Sequence, residues 1–304
     1  MSDRLHGIIP YLVSPINEST GDVKTDVLYN LSTDLIEKGV NGLSPLGSAG
    51  EVHYLNWEQK KTIVTTVLQA SNGSVPVIAG VATFSPEEAI KQINHYERLG
   101  VDGVVLNLNT YFKLNSAEII RFIQTVANAV SCEIILYNNP KFSNVDLSPD
   151  IIIELAKINN VNYFKDATGD TGRLLTIMNQ TTDIDIFSAS AHVPLSVMQL
   201  GGVGWMAGPA CVFPKESVFL YELTLSKEWD KAIKVQKILW GINELFKQYT
   251  PASSIKASLE GIGYDVGDSL SPMTPLNDVD KNNISQWLEE INFKFKQFNN
   301  QIYV

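Results

Sequence analysis

The sequence predicts an α/β fold in which eight parallel strands and their covering helices close a (β/α)₈ barrel of the TIM type, followed by a C-terminal helical appendage. Three observations predict it. Eight short runs rich in apolar and β-branched residues recur along the chain, on the order of 20–35 residues apart, which is the repeat of a strand, a loop and a helix. Helix signals separate these runs, and after residue ~212 only helical patterns remain.

The eight runs are nearly continuous in apolar residues, as expected of parallel strands that are covered on both faces. They are Gly7–Val13, Gly42–Leu46, Val75–Val81, Gly103–Asn107, Glu133–Tyr137, Asn162–Lys165, Ile184–Ser188 and Gly202–Ala207. An open doubly wound sheet would alternate in the same way. However, no Gly-x-Gly-x-x-Gly turn follows the first run, where a dinucleotide site would lie, so the barrel is favoured.

Capping residues mark where several of the intervening helices begin and end. Ser85 can cap a helix that has Pro86 at its first position, and Glu88 would complete a capping box. Gly100 is expected to end that helix, and Gly39 an earlier one.

The pattern after residue ~212 predicts helices and no strands. Ser226–Tyr249 has apolar residues at near-helical spacing, and more helix is expected at 283–298. We therefore divide the chain into a barrel catalytic domain, residues 1–225, and a helical subdomain, residues 226–304. The apolar faces of these helices must pack on the barrel or on a neighbouring subunit.

Composition excludes several classes of function. The net charge is -10, and no cluster of Lys and Arg overrides it, so nucleic acids and anionic membranes are not expected partners. Cys132 and Cys211 both lie in apolar stretches, which indicates inert core thiols in a reducing compartment. No leader pattern or apolar stretch of membrane-spanning length is present, so a cytoplasmic location is expected. Four His residues without paired spacing argue against a metal-dependent enzyme, and no cofactor is expected.

Residues that could carry chemistry follow three of the predicted strands. In a barrel of this type the carboxyl ends of the strands surround the active site. Gly47–Glu51 follows the second predicted strand, Tyr137–Pro140 the fifth, and Lys165–Gly169 the sixth. We therefore expect the three segments to meet at one end of the barrel.

Lys165 ends a buried strand, where its amine would lie in a water-poor pocket. Desolvation lowers the pKa of a lysine and so supplies the free amine that attacks a carbonyl. The resulting iminium stabilises a carbanion at the adjacent carbon without metal or organic cofactor. The alternative is a structural Lys165 paired with Asp166 or another carboxylate.

Tyr137 and the loop beginning at Gly47 could complete such a site. A phenol on the strand next to Lys165 can exchange protons with the substrate, although a tyrosine at a strand end is also a common amphipathic rim residue. Gly47, Ser48, Ala49 and Gly50 form a turn whose N–H groups can converge on an anion, and the Ser48 hydroxyl adds a donor. Taken alone, that turn is also compatible with a plain connection between strand and helix.

The three segments together resemble the dihydrodipicolinate synthase and N-acetylneuraminate lyase superfamily, over essentially the whole chain. The resemblance implies that the loop at Gly47–Glu51 receives a 2-oxo acid carboxylate, that Tyr137 is the general acid and base, and that Lys165 forms the Schiff base. It also implies that Ser48 relays protons to Tyr137, that Tyr111 completes the relay from a neighbouring subunit, and that the assembly is a homotetramer or a dimer.

Two further residues are candidates for contact with the substrate. Thr168 stands in the lysine motif, and Met206 lies on the last predicted strand, where it equally suits a bulky core position.

Departures from the family pattern concern the second substrate. Phe142 stands where dihydrodipicolinate synthases usually carry an arginine, and Ala49 replaces a second hydroxyl in the carboxylate loop. The loop Ser188–His192 lacks the acidic pair of sialic acid lyases, and Asn109–Phe112 replaces a more common Pro-Tyr-Tyr-Asn. His192 itself could contact substrate or begin a helix. We therefore expect the lysine chemistry with a changed second substrate.

The predicted function is a Schiff-base-forming, lysine-dependent lyase or synthase that acts on pyruvate or a related 2-oxo acid by aldol cleavage or condensation. One alternative is a dehydratase or deaminase of a longer 2-oxo acid or a cyclic imine through the same lysine. Another is a non-catalytic protein that binds 2-oxo acids. A reactive amine at Lys165 distinguishes the enzymes from the binding protein.

Overall fold

The computed structural model describes residues 4–189 and 193–302. Within these ranges seven parallel strands form one sheet in the order β1-β7-β6-β5-β4-β3-β2. The strands are β1 Gly7–Pro10, β2 Ile78–Thr83, β3 Gly103–Leu108, β4 Glu133–Asn138, β5 Tyr163–Asp166, β6 Asp185–Ser188 and β7 Gly204–Ala207.

Helices follow most strands and surround the sheet. They are α1 Thr25–Glu37, α2 Trp57–Ser71, α3 Pro86–Leu99, α4 Ser116–Ala127, α5 Pro140–Ser143, α6 Pro149–Leu155, α7 Thr171–Gln180, α8 Pro194–Gln199, α9 Pro209–Val212, α10 Pro214–Leu225, α11 Trp229–Gln248, α12 Pro251–Gly261 and α13 Asp278–Ile302, with a short 3₁₀ helix at Val52–Tyr54.

Seven of the eight predicted strands are confirmed, but the second, Gly42–Leu46, is not a regular strand. It forms only isolated bridges, from Leu43 to Val77 and from Ser44 to Tyr11. Pro45 has no N–H to donate, and Leu46 has a φ of 62°, so a regular ladder cannot continue through them.

Segment 42–46 nevertheless lies between the two edge strands of the sheet and hydrogen-bonds toward both. The Leu12 amide, just past β1, donates to the Ser44 carbonyl at 3.0 Å, and the Gly80 amide of β2 donates to the Pro45 carbonyl at 2.9 Å. Gly80 permits this approach, because a Cβ there would lie 2.0 Å from the Leu46 carbonyl oxygen.

The helix that begins after Ser85 has the predicted ends. The Ser85 hydroxyl accepts the Glu88 amide at 3.2 Å, and Gly100 has a left-handed φ of 97°. The second half of the predicted capping box is wrong, because the Glu88 carboxylate instead accepts the Gln92 side-chain amide at 3.0 Å.

Helices alone follow β7 in the described residues, as expected, but their bounds differ from the prediction. The expected helix Ser226–Tyr249 begins at Trp229, because Lys227 adopts a left-handed φ of 60° between α10 and α11. Helix α12 had not been predicted, whereas the expected helix at 283–298 lies inside α13. No helix within the described ranges is long and apolar enough to cross a bilayer.

Both cysteines are free thiols, as expected. Burial raises the pKa of Cys132 to about 12 and also raises the pKa of the fully buried Cys211. Because the thiolate is the reactive form, both side chains act as inert core residues at neutral pH.

Candidate active site

A cavity of about 360 Å³ opens at the carboxyl ends of β4 to β7, between the sheet and the C-terminal helices. This is the edge at which the sequence places the three candidate segments. Its walls come from the strand ends, from the loop after segment 42–46, and from α5, α11 and α12. The lining residues are Tyr11, Ser48, Ala49, Tyr137, Asn139, Lys141, Phe142, Lys165, Ala167, Ala189, Gly208, Trp240, Asn243, Phe246, Pro251 and Ile255.

Lys165 and Tyr137 are direct neighbours on the adjacent parallel strands β5 and β4. The Lys165 amine lies 4.2 Å from the centroid of the Tyr137 ring, and the lysine is only 2 % exposed. No carboxylate of the described residues forms a salt bridge with this amine, so burial acts alone and lowers the pKa of Lys165 well below 10.5. The site therefore favours an uncharged amine, the form that attacks a carbonyl.

The Asp166 carboxylate bonds to groups other than Lys165, which argues against the alternative that Lys165 pairs with Asp166 for structure alone. Its carboxylate accepts the Asn138 side-chain amide at 2.8 Å and the Thr168 backbone amide at 3.2 Å. The Thr168 hydroxyl also donates to Asp166. These bonds fix the end of β5 and thereby the strand position from which Lys165 projects.

Two side chains lie at the Tyr137 hydroxyl. It accepts the Asn139 amide at 2.9 Å, and Ser48 lines the same part of the cavity. Burial raises the pKa of Tyr137, whereas the nearby Asn139 and Ser48 side chains lower it. The phenol therefore stays protonated at neutral pH and has a hydroxyl partner for proton exchange.

The loop after segment 42–46 presents Ser48 and Ala49 to the cavity. The Gly50 amide donates to the Gly47 carbonyl at 3.0 Å, and the Glu51 amide donates to the Ser48 carbonyl at 3.1 Å. These two N–H groups close the turn and are therefore not available to an anion. Gly47 lies against the Tyr11 ring, where a Cβ would approach to 3.0 Å.

Glu51, the last residue of the loop motif, points away from the cavity into a buried ion pair. Its carboxylate lies 2.7 Å from the Lys256 amine, and both side chains are 2 % exposed. The same carboxylate accepts the Leu270 amide at 2.7 Å, and the Lys256 amine donates to the Asp268 carbonyl at 2.8 Å. The pair thus joins the candidate carboxylate loop to α12.

Several predicted residues lie away from the cavity. Thr168 and Met206 do not line it: Thr168 bonds to Asp166, and Met206 is fully buried opposite Ile9 of β1. Tyr111 is 83 % exposed and packs edge-on against Phe112, outside the cavity wall of its own chain. His192 lies outside the described residues.

Sequence reasoning missed Tyr11 and the helical side of the cavity. The Lys165 amine lies 3.7 Å from the centroid of the Tyr11 ring, closer than to Tyr137. Tyr11 lies toward the carboxyl end of the first predicted strand, Gly7–Val13, and that position could have indicated a place in the site. Trp240 and Phe246 of α11 gave only an amphipathic helix pattern, which does not say where that helix packs.

Comparison with known proteins agrees with this geometry. The model of the dihydrodipicolinate synthetase family matches residues 4–291. The 4-hydroxy-tetrahydrodipicolinate synthase of Methanosphaerula palustris is 31 % identical, over 75 % of this chain and 79 % of its own length. The enzyme of the same name from Pelobacter propionicus is 29 % identical, over 90 % of this chain and 94 % of its own.

Solved structures give the same result for the fold. A prophage protein of the dihydrodipicolinic acid synthase family from E. coli K12, crystallised with pyruvate, superposes with a TM-score of 0.89 and 27 % identity, covering 94 % of this chain and 98 % of that one. The 4-hydroxy-tetrahydrodipicolinate synthase of Methylacidiphilum fumariolicum gives a TM-score of 0.92 over 98 % and 99 % of the two chains, and at 24 % identity it supports the fold alone.

Proposed function

Since the chain belongs to the dihydrodipicolinate synthetase family, we propose that it makes or breaks a carbon–carbon bond of pyruvate through a Schiff base on Lys165. It is a lyase of the class I aldolase type, in agreement with the sequence-based expectation. The observation that carries the proposal is the buried Lys165 amine, free of any salt bridge within the described residues and 4.2 Å from the Tyr137 ring.

The proposed reaction begins with the neutral amine. The Lys165 nitrogen attacks the C2 carbonyl carbon, and the carbonyl oxygen takes up a proton from Tyr137. A proton from the nitrogen moves to that hydroxyl, which leaves as water, so a protonated imine and the Tyr137 phenolate remain. The phenolate takes a proton from C3, and the electrons of that bond form the enamine. The enamine attacks the carbonyl carbon of an acceptor, whose oxygen takes the proton back from Tyr137. Water then adds to the imine and gives a proton to the phenolate, the product is released and the amine is restored. Cleavage is the same sequence in reverse.

Tyr137 and Ser48 move the protons in these steps. The nearby Ser48 hydroxyl gives the phenol a partner that accepts and returns a proton as the carbinolamine forms and collapses. The substrate carboxylate is bound by the amides of Ser48 and Ala49 with the Ser48 hydroxyl. Tyr111 would join from a second copy of the chain, which its 83 % exposure permits.

The finer architecture is also part of the proposal. We take segment 42–46 as the eighth position that closes a (β/α)₈ barrel, supported by its hydrogen bonds toward both edge strands. The division into residues 1–225 and 226–304, the homotetrameric or dimeric assembly and the cytoplasmic location stay predictions. The dehydratase, deaminase and binding-protein alternatives gain no support from relatives that are synthases by name.

Reductive trapping tests the proposal. Incubation with pyruvate and borohydride should add a carboxyethyl group to the peptide that contains Lys165, and Lys165→Met should abolish it. Lys256 is a matched internal control, because it is equally buried but paired with Glu51. An unmodified Lys165 peptide, or an adduct confined to other lysines, would refute the proposed reaction.

A further inference from the structure

Large apolar side chains form part of the cavity wall. Phe142 of α5, Trp240 and Phe246 of α11, and Ile255 of α12 all line it. Three of these come from the C-terminal helices, so the helical subdomain contributes directly to the pocket in which an acceptor would stand.

The polar groups of the described lining residues are amines, amides and hydroxyls, without a carboxylate. Apart from Lys165, Tyr137 and Ser48, the lining offers the Lys141 cation, the side-chain amides of Asn139 and Asn243, and the Tyr11 hydroxyl. None of the described lining residues is acidic. Lys141 is exposed at the mouth, whereas Asn243 is 8 % exposed. The Asn139 amide is already bonded to the Tyr137 hydroxyl. A polyhydroxylated acceptor would therefore find no carboxylate among the described lining residues to accept its hydroxyl protons.

We propose, on the basis of the function assigned above, that the acceptor is an aldehyde with an apolar, aromatic or branched body, bearing at most one anionic group that reaches Lys141. The apolar body packs on Trp240, Phe246 and Phe142. A missing methylene contact in such a pocket lowers kcat/KM by about 10–200-fold. Apolar aldehydes should therefore exceed hydroxylated ones of similar length by at least about tenfold.

The test is a panel of acceptors at saturating pyruvate. The probes are benzaldehyde, 2-methylpropanal, succinate semialdehyde, aspartate semialdehyde and glyceraldehyde, and the readout is kcat/KM for condensation. We expect the first three to exceed glyceraldehyde by at least about tenfold. Trp240→Ala should reduce that ratio, and Lys141→Met should selectively weaken succinate semialdehyde. Trp287→Ala removes the same side chain from α13 outside the cavity and should leave the ratio unchanged.

Borohydride trapping of pyruvate on each preparation separates the two proposals. If trapping fails, the proposed function fails. If trapping succeeds but glyceraldehyde equals or exceeds the apolar aldehydes, or if Trp240→Ala leaves the preference intact, only the inference about the acceptor is overturned.

A second, independent observation concerns the charge that forms on the Lys165 nitrogen. The amine lies over two aromatic rings, 3.7 Å from the Tyr11 centroid and 4.2 Å from the Tyr137 centroid. Both distances are well within the ~6 Å over which a ring face attracts a cation. Burial, and then the nearby Tyr137 phenol, raises the pKa of Tyr11, so the ring stays neutral.

We infer that the Tyr11 ring is a catalytic group that stabilises the protonated imine through its face. The amine itself is destabilised as a cation by burial, and no carboxylate of the described residues pairs with it. Once the imine forms, its positive charge lies at the same nitrogen, within cation-binding distance of both ring faces. The rings thus stabilise the charge of the protonated imine. A carboxylate at the same place would also keep the free amine protonated.

Exchange of the pyruvate methyl protons with deuterium, measured per trapped active site, tests this role. Tyr11→Leu removes the ring face and should slow exchange by between about twofold and thirtyfold, the range that such contacts supply. Tyr11→Phe keeps a face and should slow exchange less. Tyr96→Leu removes an equally buried tyrosine outside the site and should not slow it. Equal effects of Leu and Phe at position 11, or an equal effect at position 96, would overturn the inference.

Discussion

The ion pair between Glu51 and Lys256 gives a sharp prediction about how the site is held. Each partner has one further hydrogen bond, from the Leu270 amide and to the Asp268 carbonyl respectively. Removing one member of a buried pair leaves the other charged and desolvated, which costs about 3–5 kcal/mol. Lys256→Met should fall in this range. Glu51→Gln should lie toward its lower end, because the glutamine oxygen can still accept the Leu270 amide.

The double variant Glu51→Gln with Lys256→Met tests whether the two charges are coupled. With both charges removed, its free energy of unfolding should lie within about 2 kcal/mol of that of the parent. This loss is much smaller than the sum of the losses in the two single variants. The assay is urea unfolding followed by tryptophan fluorescence on all four proteins. Lys281→Met is a matched control, because that partly exposed lysine also pairs with acidic groups, and it should cost at most about 1 kcal/mol.

Two results would refute this reasoning. Single losses below about 1 kcal/mol would mean that the pair is not desolvated. Additive losses in the double variant would mean that the two charges are not coupled. If the reasoning holds, the single variants should also weaken pyruvate trapping, since the pair joins the loop at Ser48 to α12.

Three further predictions concern residues of the active-site cavity. Tyr137→Phe should lower the condensation rate about 10²–10⁴-fold, the contribution of general acid–base catalysis, and a loss below tenfold would remove Tyr137 from that role. Lys165→Met should raise the free energy of unfolding by about 1.4 kcal/mol for each unit by which burial lowers the lysine pKa. This gain is full below the folded-state pKa and vanishes above 10.5. Urea unfolding that shows no gain at neutral pH would contradict the lowered pKa. Phe142→Arg should raise condensation with aspartate semialdehyde and leave pyruvate trapping intact, and no increase would count against the view that the missing guanidinium limits the use of this acceptor.

Much of the fold could be predicted because the strands are short apolar runs with clear boundaries. Tyr137 and Lys165 could be placed together for the same reason, since both end such runs and parallel strands align their carboxyl ends. Segment 42–46 has the apolar composition of a strand but does not form a regular one, because Pro45 and the left-handed Leu46 interrupt it.

The remaining features depend on tertiary packing that periodicity does not encode. An amphipathic pattern shows that α11 buries one face, but not that Trp240 and Phe246 cover the end of the sheet. Glu51 carried a motif position and was grouped with the carboxylate loop, yet its partner lies about 200 residues away in α12. Long-range contacts of this kind appear only in the folded chain.

The pH dependence of imine trapping at Lys165 tests the central claim most directly. The neutral amine is the reactive form, so the rate of pyruvate adduct formation should rise with pH through the lysine pKa and then level off. Burial lowers that pKa well below 10.5, and the raised pKa of Tyr137 keeps the phenol protonated across the rise. We therefore predict a midpoint well below 10.5. A rate that keeps climbing to a midpoint near 10.5 would mean that the amine is as solvated as a surface lysine, and it would contradict the account.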